Sequence, residues 1–396
     1  MSSYRKSGWL LLAAACWLSP AAGAAGATYS GITSNKYNPA ISLILNGKFA
    51  SFSQPPESYE LPGFPLAGET GPGEEGFSLS ESELTISGNI DDLFFGSFTA
   101  ALTPENEVEV EEAFFETLGL GYGLTVRAGR FYSDIGYLND FHSHAWDFVD
   151  QPLAYDAFLG GQYGDDGIQL RWVAPSDLFI ELSGEWFRGE SFPAGGAADE
   201  GKGTATAAVH FGGDVGAGHS WRAGVSYLEA EADARETAGT AGTDVFRGRS
   251  RTAILDVVWK WAPDGNPTRR NLKVQAEVFL NRMDGEFTPA GSVPSPLDSD
   301  QTGWYVQGVY QFMPRWRAAL RYDRLAADDP GAAFGGTTLD TAGHEPDRIS
   351  AMLDWSHSEF SRVRLQYNRD RSRPETDNQW YVQYIMSIGA HGAHKY

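Results

Sequence analysis

Fixed charges recur at even spacing in two parts of the chain, and the chemistry they could do is electrostatic. Successive side chains of a β-strand point to opposite faces, so residues an even number apart share a face. The basic set comes from neighbouring segments and comprises Arg317, Arg321, Arg348, Arg362 and Arg364. The acidic set comprises Glu181 and Glu185, which lie four residues apart, together with Asp140 and Asp147 from the connection 133–160. A basic surface opposite an acidic one orients dipolar solutes and sorts ions by sign. The alternative is that these charges only solvate a water-facing surface.

Two histidines form a second candidate site. His142 and His144 lie two residues apart, between Asp140 and Asp147. Zinc sites in proteins use three or four nitrogen, oxygen or sulfur ligands, so a histidine pair supplies only half of a site. The sequence therefore leaves two interpretations open, a metal site at His142 and His144, or a structural role or no role for these residues.

The sequence contains no recognisable arrangement for covalent or hydrolytic catalysis. The GxSxG, HExxH and Walker motifs are missing, as is a GxGxxG segment in a helical context. A membrane-embedded hydrolase would need a serine–histidine pair, and neither His210 nor His357 has a serine partner that the pattern can place. We predict that the protein is not an enzyme and needs no cofactor.

The elements that carry these residues are strands. After position 40 the chain repeats, about every 20 residues, a unit of about ten residues that alternate apolar with polar types. In the clearest copy, Leu272 to Leu280 supply the apolar positions, and Lys273, Gln275 and Glu277 lie between them. A soluble barrel would bury the apolar face in a core. An outer-membrane barrel turns that face to lipid and lines a water-filled lumen with the polar face.

The number of strands and the lengths of their connections favour the membrane barrel. We count sixteen strands with no linker between them, which predicts one all-β domain, a transmembrane antiparallel β-barrel over residues 28–396. Tight turns, such as those at Pro175 and Pro314, alternate with mostly long connections. Bacterial barrels have short periplasmic turns and long outer loops. The long connections are residues 52–76, 133–160, 188–202, 231–247, 284–301 and 326–346.

The start of the chain predicts export. Arg5 and Lys6 precede the apolar run Trp9 to Leu18, and small residues follow up to Ala27, as in a cleaved signal peptide. Cys16 is the only cysteine, so no disulfide is expected in the mature chain. The formal net charge of −22 argues against nucleic acid as a partner. These features predict the outer membrane of a Gram-negative bacterium, with lipid and lipopolysaccharide as partners.

With its leader, sixteen strands, long outer loops and closing C-terminal strand, the chain resembles the Gram-negative general porins. The stretch Ala128-Gly129-Arg130-Phe131 is similar to the strand end that precedes the constriction loop of porins. The resemblance implies a passive, water-filled channel for small hydrophilic solutes or ions. The sequence leaves open whether three barrels assemble as a homotrimer.

The third outer connection, residues 133–160, has the composition of a constriction loop. It contains six aromatic residues, which a wholly extracellular loop would expose to solvent. We predict that it folds into the barrel and faces the arginine-rich wall across the channel. The alternative is a loop packed over the barrel rim. The aromatic residues are Tyr137, Phe141, Trp146, Phe148, Tyr155 and Phe158.

The chain also resembles poorly characterised outer-membrane proteins described as zinc-regulated or TonB-dependent receptors. The resemblance rests on residues 141–148 and on the tail with His391 and His394. It implies an alternative function, uptake of metal ions or metal complexes through His142 and His144. A TonB-dependent receptor would need an N-terminal plug and about 22 strands, for which the chain has no room.

Overall fold

The computed structural model describes residues 39–67, 70–103, 107–195 and 203–389. The predicted leader, Met1 to Ala27, lies outside the described residues, as do His391 and His394 of the C-terminal tail.

Sixteen antiparallel strands form one sheet that closes into a barrel. The second strand, β2, consists of two segments that both pair with β1. The strands are β1 (Ala40–Ser51), β2 (Gly76–Leu79 and Ser82–Asn89), β3 (Phe94–Leu102), β4 (Val108–Thr117), β5 (Leu124–Tyr132), β6 (Gly164–Val173), β7 (Phe179–Phe187), β8 (Thr204–Val215), β9 (His219–Gly239), β10 (Gly242–Trp261), β11 (Asn271–Thr288), β12 (Ser295–Met313), β13 (Trp316–Ala327), β14 (Asp347–Ser358), β15 (Ser361–Arg371) and β16 (Asp377–Gly389).

The last strand closes the sheet on the first. β16 pairs with β1 in a register that runs from Ser42 opposite Gly389 to Ser51 opposite Trp380. Every other strand pairs with its neighbours in the chain. A closed sheet satisfies its backbone groups between strands and leaves no free edge. The predicted all-β barrel of about sixteen strands is confirmed.

The barrel is apolar on its outer surface and polar inside. In β11, Gln275 and Glu277 are fully buried in the interior, whereas Leu280 is 48% exposed on the outside. In β14, Ser350 is buried and Leu353 is 40% exposed. A soluble barrel would show the reverse arrangement, so the predicted outward and inward positions of these strands are confirmed.

Two of the predicted outer loops are largely strand. β9 and β10 pair up to Gly239 and Gly242, which covers most of the predicted loop 231–247. β11 and β12 likewise pair through most of 284–301. The prediction of loops there was wrong. It relied on the alternation of apolar and polar residues, and a strand pair outside the apolar band needs no apolar outer face. Cross-strand ion pairs cover it instead, as between Arg249 and Glu231 at 3.0 Å.

In the described residues, helical structure is confined to the connections. The helix α1 (Leu153–Leu159) lies in the third outer connection and ends at Gly160, whose φ of 64° is left-handed. Single 3₁₀ turns occur at Pro56–Ser58, Ser143–Ala145, Pro263–Gly265 and Ala332–Phe334. Within the described ranges, none of the helices is long and apolar enough to cross a membrane.

Candidate functional site in the barrel interior

Residues 133–160, here called the inner loop, begin at a buried carboxylate of the barrel wall. Glu185 of β7 accepts hydrogen bonds from the Ser133 hydroxyl and from the Asp134 backbone N–H, the latter at 3.0 Å. Gln169 of β6 donates a further hydrogen bond to Glu185 at 2.7 Å. The predicted site residue Glu185 therefore holds the root of the inner loop.

The inner loop then reaches strands far from its root. The Gly136 N–H donates to Ser226 Oγ of β9 at 3.1 Å, and the Tyr137 N–H donates to Glu277 Oε2 of β11 at 3.0 Å. Gly136 has a left-handed φ of 65°, and an added Cβ would lie 2.5 Å from Glu277 Oε2. Only glycine lets the backbone approach the wall this closely. The chain thus passes from β5 to β11 through the interior.

The helix α1 packs the inner loop onto the wall. Tyr155 donates a hydrogen bond to Glu277 at 3.0 Å and accepts one from the Leu138 N–H at 3.1 Å. Its ring makes an edge contact with Phe279, 5.1 Å between centroids. The ring of Phe158 stacks on the same Phe279 at 5.9 Å. These buried aromatics form an apolar core inside the barrel.

Two aspartates of the inner loop form ion pairs with inward-facing basic side chains. Asp147 lies 2.5 Å from Lys273 Nζ and 3.1 Å from Arg317 Nη1. Asp150 lies 2.8 Å from Arg321 Nη2 and 3.1 Å from Arg348 Nη1. Burial opposes the ionisation of Asp150, but Arg321 and Arg348 hold the pKa of its carboxyl well below the usual range. The loop and the basic wall are therefore in direct contact.

The five arginines predicted to line a passage divide into two groups. Arg321, Arg348 and Arg364 are 2%, 3% and 0% exposed, because the inner loop covers them. Arg364 donates a hydrogen bond to the carbonyl of Trp146 at 2.6 Å. These three face the loop rather than open water, since a buried guanidinium needs acceptors close by. Arg317 and Arg362 are partly exposed and line a cavity.

This cavity, the vestibule, has a volume of about 920 Å³ and lies at the end of the barrel that carries the tight turns. Tyr137, Trp146 and Asp147 of the inner loop form part of its lining. Five basic residues line it against three acidic ones, so its charge is positive on balance. The basic residues are Lys260, Lys273, Arg315, Arg317 and Arg362, and the acidic ones are Asp147, Asp214 and Glu359.

The two predicted histidines lie together in an acidic environment, here called the His142 cluster. The rings of His142 and His144 stack with centroids 5.9 Å apart. His142 Nδ1 lies 3.2 Å from Glu111 and 3.3 Å from Glu83, and His142 Nε2 lies 3.0 Å from Glu112. His144 Nδ1 lies 2.9 Å from Glu83. The cluster thus offers nitrogen and carboxylate oxygen atoms of the kinds that bind divalent metals.

The glutamates also control the charge of His142. Burial lowers the pKa of a histidine, but Glu83, Glu111 and Glu112 together raise the pKa of His142 well above its ordinary value. A metal ion would have to displace that proton. Asp140, the other acidic residue predicted for this part of the loop, is half-buried.

Sequence reasoning did not find the glutamate partners of these histidines. A β-bulge places Thr99 opposite Glu112 and the next residue, Ala100, opposite Val110. The extra residue, Glu111, shifts the alternation, so Glu111 and Glu112 both contact His142 although they are adjacent in sequence. Glu83 comes from β2, 59 residues before His142, and no local spacing links the two.

No family model matches the chain. The chain is 31% identical over 344 residues to an uncharacterized protein of Aquifex aeolicus (strain VF5). The alignment covers 82% of this chain and 71% of that protein. The chain belongs to the family of this Aquifex protein.

Solved structures of outer-membrane proteins share the architecture. OmpT of Vibrio cholerae, in a trimer form, has a TM-score of 0.53 at 11% identity over 89% of this chain and 99% of that chain. An anion-selective porin from Comamonas acidovorans has a TM-score of 0.53 at 9% identity over the same shares of the two chains. The fold is that of the sixteen-stranded outer-membrane porins, as the sequence predicted.

Proposed function

We propose that this protein is a passive channel in the outer membrane of a Gram-negative bacterium, through which small hydrophilic solutes or ions diffuse. The observation that carries the proposal is the polar interior of a closed barrel whose outer surface is apolar. Buried amides, carboxylates and guanidinium groups face inward, where lipid cannot solvate them. The vestibule brings solvent as far as the inner loop. The proposal involves no catalytic step and no cofactor.

In this proposal the inner loop forms the constriction. It is held across the interior by the ion pairs of Asp147 and Asp150 and by the packing of α1. A passage beside it is narrow, so the charges next to it dominate selectivity. Lys273 and Arg317 lie where the vestibule meets the loop, at Asp147, and Arg362 lines the vestibule. We therefore propose a preference for anions.

Reversal potentials in planar bilayers under a KCl gradient test this preference. We expect an anion-selective potential that moves towards cations in the double variant Arg317→Gln/Arg362→Gln. The difference should shrink at about 1 M salt, where the screening length is about 3 Å. Arg282→Gln is the matched control, because Arg282 pairs with Asp298 at 2.8 Å on an exposed outer hairpin. A cation-selective wild-type protein, or equal potentials in all three proteins, would contradict the proposed selectivity.

The His142 cluster favours a second candidate function, uptake of divalent metal ions or metal complexes. Three of its carboxylates, from Glu83, Glu111 and Glu112, lie within 3.3 Å of His142. A passing cation would exchange its water ligands for these groups. Because binding must release the proton of His142, the affinity should rise with pH.

Block of the channel by Zn²⁺ tests the second function. We expect Zn²⁺ to reduce the conductance in a saturable way, more strongly at pH 8 than at pH 6. The double variant His142→Ala/His144→Ala should lose this block. His357→Asn is the control, because His357 is exposed and packs against Trp355 on the barrel surface. Block of equal strength in the double variant would exclude a role for these histidines in metal uptake.

We further propose that the barrel is embedded in outer-membrane lipid, lipopolysaccharide included, and assembles as a homotrimer. Exposed apolar side chains support the lipid contact, with Leu320 66% and Ile168 53% exposed. The Vibrio OmpT structure of the same fold is described as a trimer. Native mass spectrometry in mild detergent should give the mass of three chains, and a single-chain mass would exclude the trimer.

A further inference from the structure

We propose a second divalent-metal site at the root of the inner loop, formed by Asp134, Glu181 and His210. These residues come from the inner loop, β7 and β8. One ligand atom from each lies within 4.8 Å of the others. The site is separate from the His142 cluster and shares no residue with it.

The distances within this group suit a single ion. His210 Nδ1 lies 3.4 Å from Glu181 Oε1 and 3.9 Å from Asp134 Oδ2. A tetrahedral zinc ion with bonds of about 2.0–2.2 Å separates adjacent ligand atoms by about 3.3–3.6 Å. A shift of a few tenths of an ångström therefore brings the distances from His210 Nδ1 to Glu181 and to Asp134 into this range. The fourth position stays open for water or a solute atom.

Unsatisfied polar atoms around His210 point to a missing partner. Within the described part of the chain, Asp134 Oδ2, His210 Nε2 and both carboxylate oxygens of Asp256 are buried without a hydrogen-bond partner. His210 is 0% and Asp256 is 4% exposed. Buried polar atoms without partners are rare in proteins and call for an explanation.

Asp256 is suited to orient the histidine. His210, Gly224 and Asp256 stand side by side on β8, β9 and β10. A Cβ added at Gly224 would lie 2.5 Å from His210 Cδ2 and 2.1 Å from Asp256 Oδ2, so both side chains lie over this glycine. When Nδ1 binds a metal, the proton of the imidazole is on Nε2 and needs an acceptor. Metal-binding histidines usually donate this proton to a carboxylate or carbonyl, and Asp256 is a positioning residue of that kind.

The charge of the surroundings also favours a divalent cation. Four carboxylates act on Arg222, namely those of Asp134, Asp140, Glu181 and Asp256. The second guanidinium of this region, that of Arg171, lies 3.9 Å from Glu181. The carboxylates around this group outnumber its guanidinium groups, so a divalent cation would add positive charge where negative charge predominates.

Calorimetric titration with Zn²⁺ of the folded, EDTA-treated full-length protein tests the proposal. The variant His142→Ala/His144→Ala serves as background, because it removes the histidines of the other cluster. We expect it to bind one Zn²⁺. Adding His210→Asn or the isosteric Glu181→Gln should weaken this binding at least tenfold, whereas adding the control His357→Asn should not change it.

The titration distinguishes a result that excludes the loop-root site from one that excludes the site at His142. If the background variant binds no Zn²⁺, or if its Zn²⁺ survives both His210→Asn and Glu181→Gln, the site at the loop root does not exist. Wild-type protein that binds a single Zn²⁺, retained in the background variant, would support the loop-root site and remove the His142 site. Asp256→Asn should weaken binding while the stoichiometry stays at one, as expected for a positioning residue.

Discussion

At the scale of residues, two aspartates of the inner loop have opposite electrostatic environments. Asp150 contacts Arg321 and Arg348, which keep its carboxyl ionised. Asp156 lies on α1, six residues further on. Burial, with a contribution from Asp150, raises the pKa of Asp156 to about 7 although Arg348 lowers it. Asp150 therefore stabilises the docked loop as an anion, whereas Asp156 stabilises it only when protonated.

This difference predicts how pH affects the inner loop. The unfolded pKa of an aspartate is about 3.9, so a carboxyl with a folded pKa near 7 loses stability as the pH rises between these values. We expect limited proteolysis within the inner loop to be faster at pH 8 than at pH 5. Asp156→Asn should remove most of this difference, whereas Asp328→Asn, at an exposed position outside the inner loop, should leave it unchanged. An Asp156→Asn variant with the wild-type pH dependence would contradict the assignment.

At the scale of elements, the sequence was sufficient for the strands and insufficient for their irregularities. The alternation around Val274 and Leu353 identifies strands because one face of each strand is apolar and the other is polar along the barrel wall. The bulge at Glu111 has no such signature, since it depends on pairing with β3. The outer halves of β9 and β10 lie beyond the apolar band. There the alternation of apolar and polar residues no longer indicates which residues form paired strands.

For the site, too, the sequence predicted the location of the inner loop but not its detailed contacts. The aromatic residues of the inner loop indicated an interior location, and Tyr137, Phe148, Tyr155 and Phe158 are buried. The sequence predicted that the loop faces the arginine-rich wall, but not which residues of the wall pair with Asp147 and Asp150, because the pairs join residues about 120 to 200 positions apart. The alternation of apolar and polar residues predicted that Arg321, Arg348 and Arg364 point inward, but it did not predict that the inner loop covers them.

The connection lengths predict which side of the membrane each turn occupies. An epitope tag after Gly291, in the turn of an extended hairpin, should be labelled by antibody on intact cells. A tag after Glu359, in the tight turn between β14 and β15, should be labelled only after the outer membrane is permeabilised. Labelling in the reverse order would invert the topology, and the vestibule would then open to the outside.

At the scale of the whole molecule, the barrel is apolar on its outer face and makes polar contacts inside. Leu353 and Ser356 lie on the same strand, the former exposed outward and the latter lining the vestibule. Arginine on the lipid face near the bilayer midplane costs about 2–4 kcal/mol. We expect Leu353→Arg to lower the free energy of unfolding in lipid vesicles by about this amount, and Ser356→Arg to lower it by less than 1 kcal/mol. Equal losses would mean that the outward face of β14 does not contact lipid.

Single-channel conductance of the wild-type protein and of a variant lacking residues 138–150 tests the central claim most directly. The deletion removes the ion pair of Asp147 and the contact of Asp150 with the arginines, and leaves the sixteen strands intact. If the inner loop narrows an otherwise open barrel, the wild-type protein conducts in small steps without an energy source. The variant, shown to be folded by its β-sheet circular dichroism, then conducts in clearly larger steps. Equal conductance in the two folded proteins, or none in either, would contradict the proposal of a channel constricted by this loop.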